Sequence, residues 1–193
     1  TFLGKCIQVV PHLVDTTKKR LLHFALNHNV DFVLLEIGGT VGDIEGEVFL
    51  EAIRQLRMEL GSQKLVHAHL SYVPFLSWTG EVKTKPTQHS VIALKRAGLT
   101  PDFLFLRADK EIDDSSVDKL AVMCEVPRDC IFQMLTFDPV YKAFLDLDRQ
   151  GVGHRVQRRF GIKSVKQSRL TDWKKLIDLI DASKKTVTIG LIA

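Results

Sequence analysis

Two stretches of the sequence gather, at short spacing, residue types that do chemistry. The first is Glu36-Ile-Gly-Gly-Thr-Val-Gly-Asp-Ile-Glu-Gly46, which follows the apolar run beginning at Asp31. In an open α/β sheet, ligands sit beyond the carboxyl ends of the strands, and a strand over Asp31–Glu36 would put Glu36 at such an end. A carboxylate there can hold Mg²⁺, which takes oxygen ligands together with substrate phosphates. Gly38, Gly39 and Gly42 allow positive φ and a close approach of backbone to ligand. Asp43 and Glu45 add acceptors suited to ribose hydroxyls or an amino group. The bland alternative is a strand-to-helix turn with a solvated acidic tip.

The second stretch is Gly80-Glu-Val-Lys-Thr-Lys-Pro-Thr-Gln-His-Ser90. Lys83, Thr84, Lys85, Pro86, Thr87 and Gln88 fall just before and inside the start of a helix. The free N–H groups and the dipole of a helix start favour a phosphate, and two lysines add full positive charge. The alternative is a solvated basic loop with Thr84 or Thr87 as the cap.

Other candidates are thinner. Lys119 and Arg107 are single basic residues at element ends, a place where surface roles dominate. His12, His67, His69 and His89 have no convincing metal spacing, and His67 and His69 share one strand face as an exposed or satisfied pair. Cys6, Cys124 and Cys130 form no CxxC pair, which reads as free thiols in a reducing compartment. The net charge of +4 suits anionic ligands in general and is too small to argue for nucleic acid. Arg155, Arg158, Arg159, Lys163, Lys166 and Arg169 form a basic stretch with Phe160 as its one aromatic, so a solvated face is expected there rather than a nucleic-acid surface. No apolar run approaches the roughly 20 residues of a membrane helix, and the N-terminus has no signal-peptide pattern. The first residue is not Met, which reads as a start inside a longer protein.

The elements that must position these residues alternate in type, which predicts an α/β domain with a mostly parallel sheet. Helices are expected over Val14–Asn27, Val48–Leu60 (closed by Gly61), from Pro86 to Gly98, over Asp114–Cys124, from Val140 onward and over Asp172–Ala182. Strands are expected over Asp31–Glu36, Lys64–Val73, Asp102–Arg107, Ile131–Leu135 and Thr186–Ala193. Ser77–Lys85 reads as a polar loop, and the chain after Gly151 as a basic excursion or linker.

Read together, EIGGTVGDIE and, about 35 residues further on, GEVKTKPTQHS resemble the CTP synthase family. QVVPH (Gln8–His12), FLEAIRQ (Phe49–Gln55), VPFL (Val73–Leu76), PDFLFLRAD (Pro101–Asp109) and KLAVMCEV (Lys119–Val126) resemble it in the same order. The resemblance runs from about Leu3 to Ala193. It implies a P-loop NTPase-like (dethiobiotin synthetase-like) fold truncated at its N-terminus. Residues 1–150 would be a partial synthetase (amidoligase) domain, 151–185 its end and a linker, and 186–193 the start of a glutamine amidotransferase domain. It implies ATP-dependent amination of UTP to CTP with ammonia derived from glutamine, with CTP as feedback inhibitor. By the same resemblance Glu36 is the Mg²⁺ ligand, and Asp43, Ile44 and Glu45 belong to the CTP pocket. Lys83–Gln88 and Lys119 bind the UTP or CTP triphosphate, with Lys85 as the catalytic residue, and Arg107 and Phe137 stand on the ATP side. A cytoplasmic homo-tetramer, capable of filaments, is implied, with no nucleic acid and no membrane.

The sequence departs from the family in places. No phosphate-cradling glycine loop with its lysine occurs in it, nor the family's second metal-binding acid, nor the glutaminase cysteine motif. Leu135-Thr136-Phe137 stands where a Lys-Asp-Val-like run is usual, and Met123 where phenylalanine is common. A fragment, an excised domain and a divergent, non-catalytic nucleotide-binding paralogue are all compatible with these departures, and a fragment is the reading adopted. The chain alone is then expected to be inactive.

Overall fold

A computed structural model gives the fold and describes residues 4, 6–163 and 170–191. Helix α1 spans Val14–Asn27, as the spacing predicts, and packs on α2 (Glu47–Leu60). Leu50, Ile53 and Leu56 recur on one face of α2 and are buried with Leu94 and Leu99. Gly61, at φ +83°, ends the helix with its N–H on the Arg57 carbonyl.

Strand β1 (Ala68–Tyr72) is shorter than expected, because Lys64 and Leu65 turn back onto the Gly61 carbonyl. The segment Ser77–Lys85 is not wholly loop. Strand β2 (Phe75–Leu76) pairs antiparallel with β3 (Glu81–Val82) as a short hairpin. Helix α3 (Lys85–Arg96) then starts with Pro in its first turn, where the missing N–H costs nothing. Gly98 follows α3 at φ +78°, and a Cβ there would lie 2.5 Å from the Arg54 side chain. Conformation and space both demand glycine at that point.

Strand β4 (Phe103–Ala108), helix α4 (Asp114–Cys124) and strand β5 (Ile131–Leu135) follow the expected spans. The three-stranded sheet runs β1-β4-β5, parallel throughout, with Ala68 opposite Phe103 and Leu104 opposite Ile131. The expected α/β architecture with a parallel sheet flanked by helices therefore holds. Leu104 and Leu106 are fully buried against Val91, Val117 and Leu120, each worth about 1.5–3 kcal/mol. Asp113 caps α4 by accepting from the Ser116 N–H at 2.9 Å.

Helix α5 (Lys142–Arg149) follows β5. Where a linker is expected, Val152–Arg159 folds as helix α6, and Thr171–Ala182 forms α7. Low hydrophobicity hides α6 from a pattern reading. The tertiary ion pairs of Arg155 with Asp129 and of Arg159 with Asp102 hold it in place. Lys166 and Arg169 lie outside the described residues.

Two expected strands are not formed. Asp31–Glu36 is unpaired, with Leu34 98% exposed. Thr186–Leu191 is unpaired too, and Val187, Ile189 and Leu191 are exposed, while Ile192 and Ala193 lie outside the described residues. An apolar run becomes a buried strand only where neighbours take its N–H and C=O groups. Neither run has such a neighbour among the described residues. Phe32 instead meets the Phe160 ring edge-on at 5.3 Å.

Candidate functional site

The lysine stretch is held at the carboxyl end of β1. The hairpin returns the chain so that the Lys83 N–H donates to the Pro74 carbonyl at 2.8 Å, and Thr84 starts α3 without capping it. The motif then divides. Thr84, Thr87 and Gln88 are 6%, 0% and 2% exposed. The Ser71 hydroxyl donates to Thr87 Oγ1 at 3.0 Å, and Gln88 Nε2 donates to Thr84 Oγ1 at 3.1 Å. These three side chains are engaged inside the protein. Lys85 and Pro86 are exposed, and among the described residues half-buried Lys83 pairs only with neighbouring Glu81 at 2.6 Å. What the motif offers outward is two ammonium groups and a helix start that no side chain caps, the parts an anion needs.

The other strand ends add to this edge. Arg107, at the end of β4, donates through Nη1 to the Leu135 carbonyl at 2.8 Å. Asp109 accepts from the Tyr72 hydroxyl at 2.7 Å and from the Thr136 hydroxyl at 2.8 Å. Those bonds, Tyr72 first, hold its carboxyl below the ordinary range and raise the Tyr72 phenol. Phe137 is partly buried two residues beyond β5. Lys110 Nζ sits 4.0 Å above the Phe75 ring and pins the hairpin base. Lys119 is exposed in the middle of α4 rather than at an element end, because the helix runs on to Cys124. Tyr72, Asp109 and Thr136 give no local sequence signal, because their grouping depends on the strand register.

The acidic stretch makes a separate cleft of ≈ 520 Å³. Glu36, Asp43 and Glu45 line it, over an apolar floor of Leu21, Leu35, Phe49 and Ile53. Arg20 of α1 lines it too; it has no ion-pair partner among the described residues, and no pattern flags it in the sequence. Gly39 and Gly42 take φ of +87° and +105°, whereas Gly38 does not use positive φ. Asp43 closes the turn by accepting from the Thr40 N–H at 3.1 Å. Ile44 is 80% exposed and is not part of the cleft lining. Among the described residues no three carboxylate, histidine or cysteine groups are placed to hold a metal together. The donor set fits Mg²⁺ in its usual manner, with one or two carboxylates and the remaining ligands from phosphate and water.

The two motifs are not brought together within the chain. Val41, Gly42 and Glu47 of the acidic turn border Ala93, Arg96 and Ala97, at the far end of α3 from the lysines. A helix of this length separates them by about 17 Å.

His69 Nε2 meets Ser90 Oγ at 2.9 Å, so it is a satisfied core histidine. His67 differs: among the described residues its Nδ1 is buried without a hydrogen-bond partner, and burial lowers its pKa to about 4. All three cysteines are free, and burial pushes the Cys124 thiol up to about 11. No helix among the described residues is long and apolar enough to cross a membrane.

Comparison with known proteins adds to this geometry. A family model described as CTP synthase N-terminus matches residues 1–162. The chain is 41% identical over 191 residues to a CTP synthase of Phytoplasma australiense, covering 99% of this chain and 35% of the relative. It is 41% identical to one of Roseiflexus sp. (strain RS-1), covering 99% and 34%. It is 37% identical to one of Staphylococcus aureus (strain JH9), covering 99% and 36%. The chain thus spans about a third of the length of the curated relatives it matches.

Proposed function

The chain belongs to the CTP synthase N-terminal family, and from that premise we propose that it is part of the synthetase domain of a longer ligase that aminates UTP to CTP. In this reading the γ-phosphate of ATP is transferred to O4 of UTP, and ammonia derived from glutamine then displaces that phosphate. Lys83 and Lys85 hold the triphosphate of UTP, or of CTP as feedback inhibitor, with the α3 amides and Lys119 beside them. Thr84, Thr87 and Gln88 shape the loop from within, and their contribution to the nucleotide is made by backbone groups. Lys85, the more exposed lysine, stabilises charge as the phosphoryl group moves. Glu36 would hold Mg²⁺, which would offset the phosphate charge there; Asp43, Ile44 and Glu45 receive the pyrimidine end, and Arg107 and Phe137 the ATP side.

The observation that carries this reading is exposed Lys85, with half-buried Lys83 beside it, at an uncapped helix start on the carboxyl edge of a parallel sheet. The separation of the two motifs along α3 refines it. Because they stand at opposite ends of one helix, this reading assigns a single nucleotide to the lysines of one subunit and the acidic turn of another. A symmetric homo-oligomer, a tetramer in this reading, supplies that arrangement.

Two experiments test the proposal. Lys85→Ala in the full-length protein is expected to weaken UTP and CTP binding by about 1.5–3 kcal/mol, the scale of charge-assisted hydrogen bonds; unchanged calorimetric affinity for both contradicts it. The 193-residue chain by itself, given UTP, ATP, Mg²⁺ and ammonia, is expected to form no CTP. Turnover comparable to the intact enzyme would end the fragment reading.

A further inference from the structure

At the carboxyl edge of the sheet, one carboxylate ties together the ends of all three parallel strands. Asp109 follows β4 directly. Its Oδ2 accepts from the hydroxyl of Tyr72, the last residue of β1, at 2.7 Å. Its Oδ1 accepts from the hydroxyl of Thr136, the residue after β5, at 2.8 Å. The backbone supports the same junction: the Thr136 N–H donates to the Ala108 carbonyl at 3.1 Å, and the Val73 N–H to the Arg107 carbonyl at 2.8 Å. Arg107 takes its own anchor from this junction, since its guanidinium donates to the carbonyl of Leu135, the residue before Thr136. Phe137 is the residue after Thr136.

We propose that Asp109 is a positioning residue for the purine nucleotide: by holding Tyr72 and Thr136 it fixes the Leu135 carbonyl that aims Arg107 and the backbone that presents Phe137. The inference rests on the reading that Arg107 and Phe137 face ATP. The bridge is exposed, so it contributes little to global stability. Its effect falls on the local geometry of a ligand-binding edge, where a displacement of about 1 Å is costly. Tyr72 and Thr136 act through one acceptor, so removing both hydroxyls amounts to removing the carboxylate.

Steady-state kinetics of the full-length protein test this, with ATP and UTP varied separately. Asp109→Ala is expected to raise KM for ATP about tenfold, with kcat at saturating ATP within about twofold and KM for UTP unchanged. Asp109→Asn, which keeps one acceptor oxygen, falls between Asp109→Ala and the parent. Tyr72→Phe and Thr136→Val each raise KM for ATP about threefold, and adding Asp109→Ala to the pair adds nothing further, the mark of one shared network. Arg107→Ala is the reference. If it raises KM for ATP and Asp109→Ala does not, the positioning role is overturned while the ATP-side reading stands. If neither changes KM for ATP, both are overturned. A parallel rise in KM for both nucleotides together with a lower Tm assigns Asp109 a merely structural role and overturns the inference.

Discussion

The two ends of the parallel sheet treat charge in opposite ways. At the amino end of β4, Asp102 is 11% exposed at its side chain and gathers two arginines. Arg57 donates to it at 2.8 and 3.2 Å, Arg159 at 3.1 and 2.8 Å, and the His67 N–H at 2.8 Å. Burial alone would raise this carboxyl, and the arginines with the His67 amide more than offset it, so its pKa is lowered. At the carboxyl end, Lys85 has no carboxylate partner among the described residues, and Lys83 has only exposed Glu81. The first group of cations is satisfied by the fold, and the second is left open to solvent at a strand edge. Charge count alone cannot make that distinction, because both the stretch after Gly151 and the lysine loop are basic.

The largest expected effect belongs to the closed end. Asp102→Ala leaves two half-buried arginines unpaired, and unfolding in urea is expected to show a loss of about 3–5 kcal/mol. Lys85→Ala, at the open end, is expected to change stability by no more than about 0.5 kcal/mol. Similar losses at both ends would dissolve the contrast.

Acid sharpens it. His67 titrates near 4 in the folded protein against 6.5 unfolded, so the unfolded chain binds the extra proton between those values. Stability is therefore complete above about pH 6.5 and falls by up to about 3 kcal/mol as pH drops toward 4. The lowered pKa of Asp102 adds loss in the same direction at still lower pH. His67→Phe should flatten the upper part of the curve; an unchanged profile would remove His67 as its cause.

The smallest effect concerns Thr87, inside the lysine motif but fully buried. Thr87→Val strands the Ser71 hydroxyl and is expected to cost about 1–2 kcal/mol of stability, with nucleotide affinity changed less than by Lys85→Ala. A larger loss of affinity than of stability would return the hydroxyl to the binding site.

The helices α1 and α4 and the strand β5 are legible because apolar spacing runs along each of them, and at α4 the Asp113 cap agrees with it. Asp31–Glu36 was not, since the same apolar run serves a paired strand and an unpaired extended segment, and only a neighbouring strand decides between them. The hairpin of β2 and β3 was missed because each strand has two residues, too few to show alternation. Helix α6 has too few apolar residues to show a pattern and depends on ion pairs to residues far away in sequence. Lys85 stands exposed as the motif suggests and Lys83 half-buried beside it, but the inward turn of Thr84, Thr87 and Gln88 is visible only from the packing of α3 on β1. Asp109 lay in plain view within PDFLFLRAD, and only the parallel register brings Tyr72 and Thr136 to it.

The central claim is that the lysine loop of one subunit and the acidic turn of another serve the same nucleotide. Subunit mixing tests it most directly. Full-length Glu36→Gln and Lys85→Ala proteins are each expected to be inactive with ammonia as nitrogen donor. After subunit exchange, verified by mass, random pairing makes half of the interfaces unlike, each with one intact site of two, so about a quarter of the parent rate should return. An exchanged mixture that stays as inactive as its components would place both motifs in a single subunit's site and contradict the account.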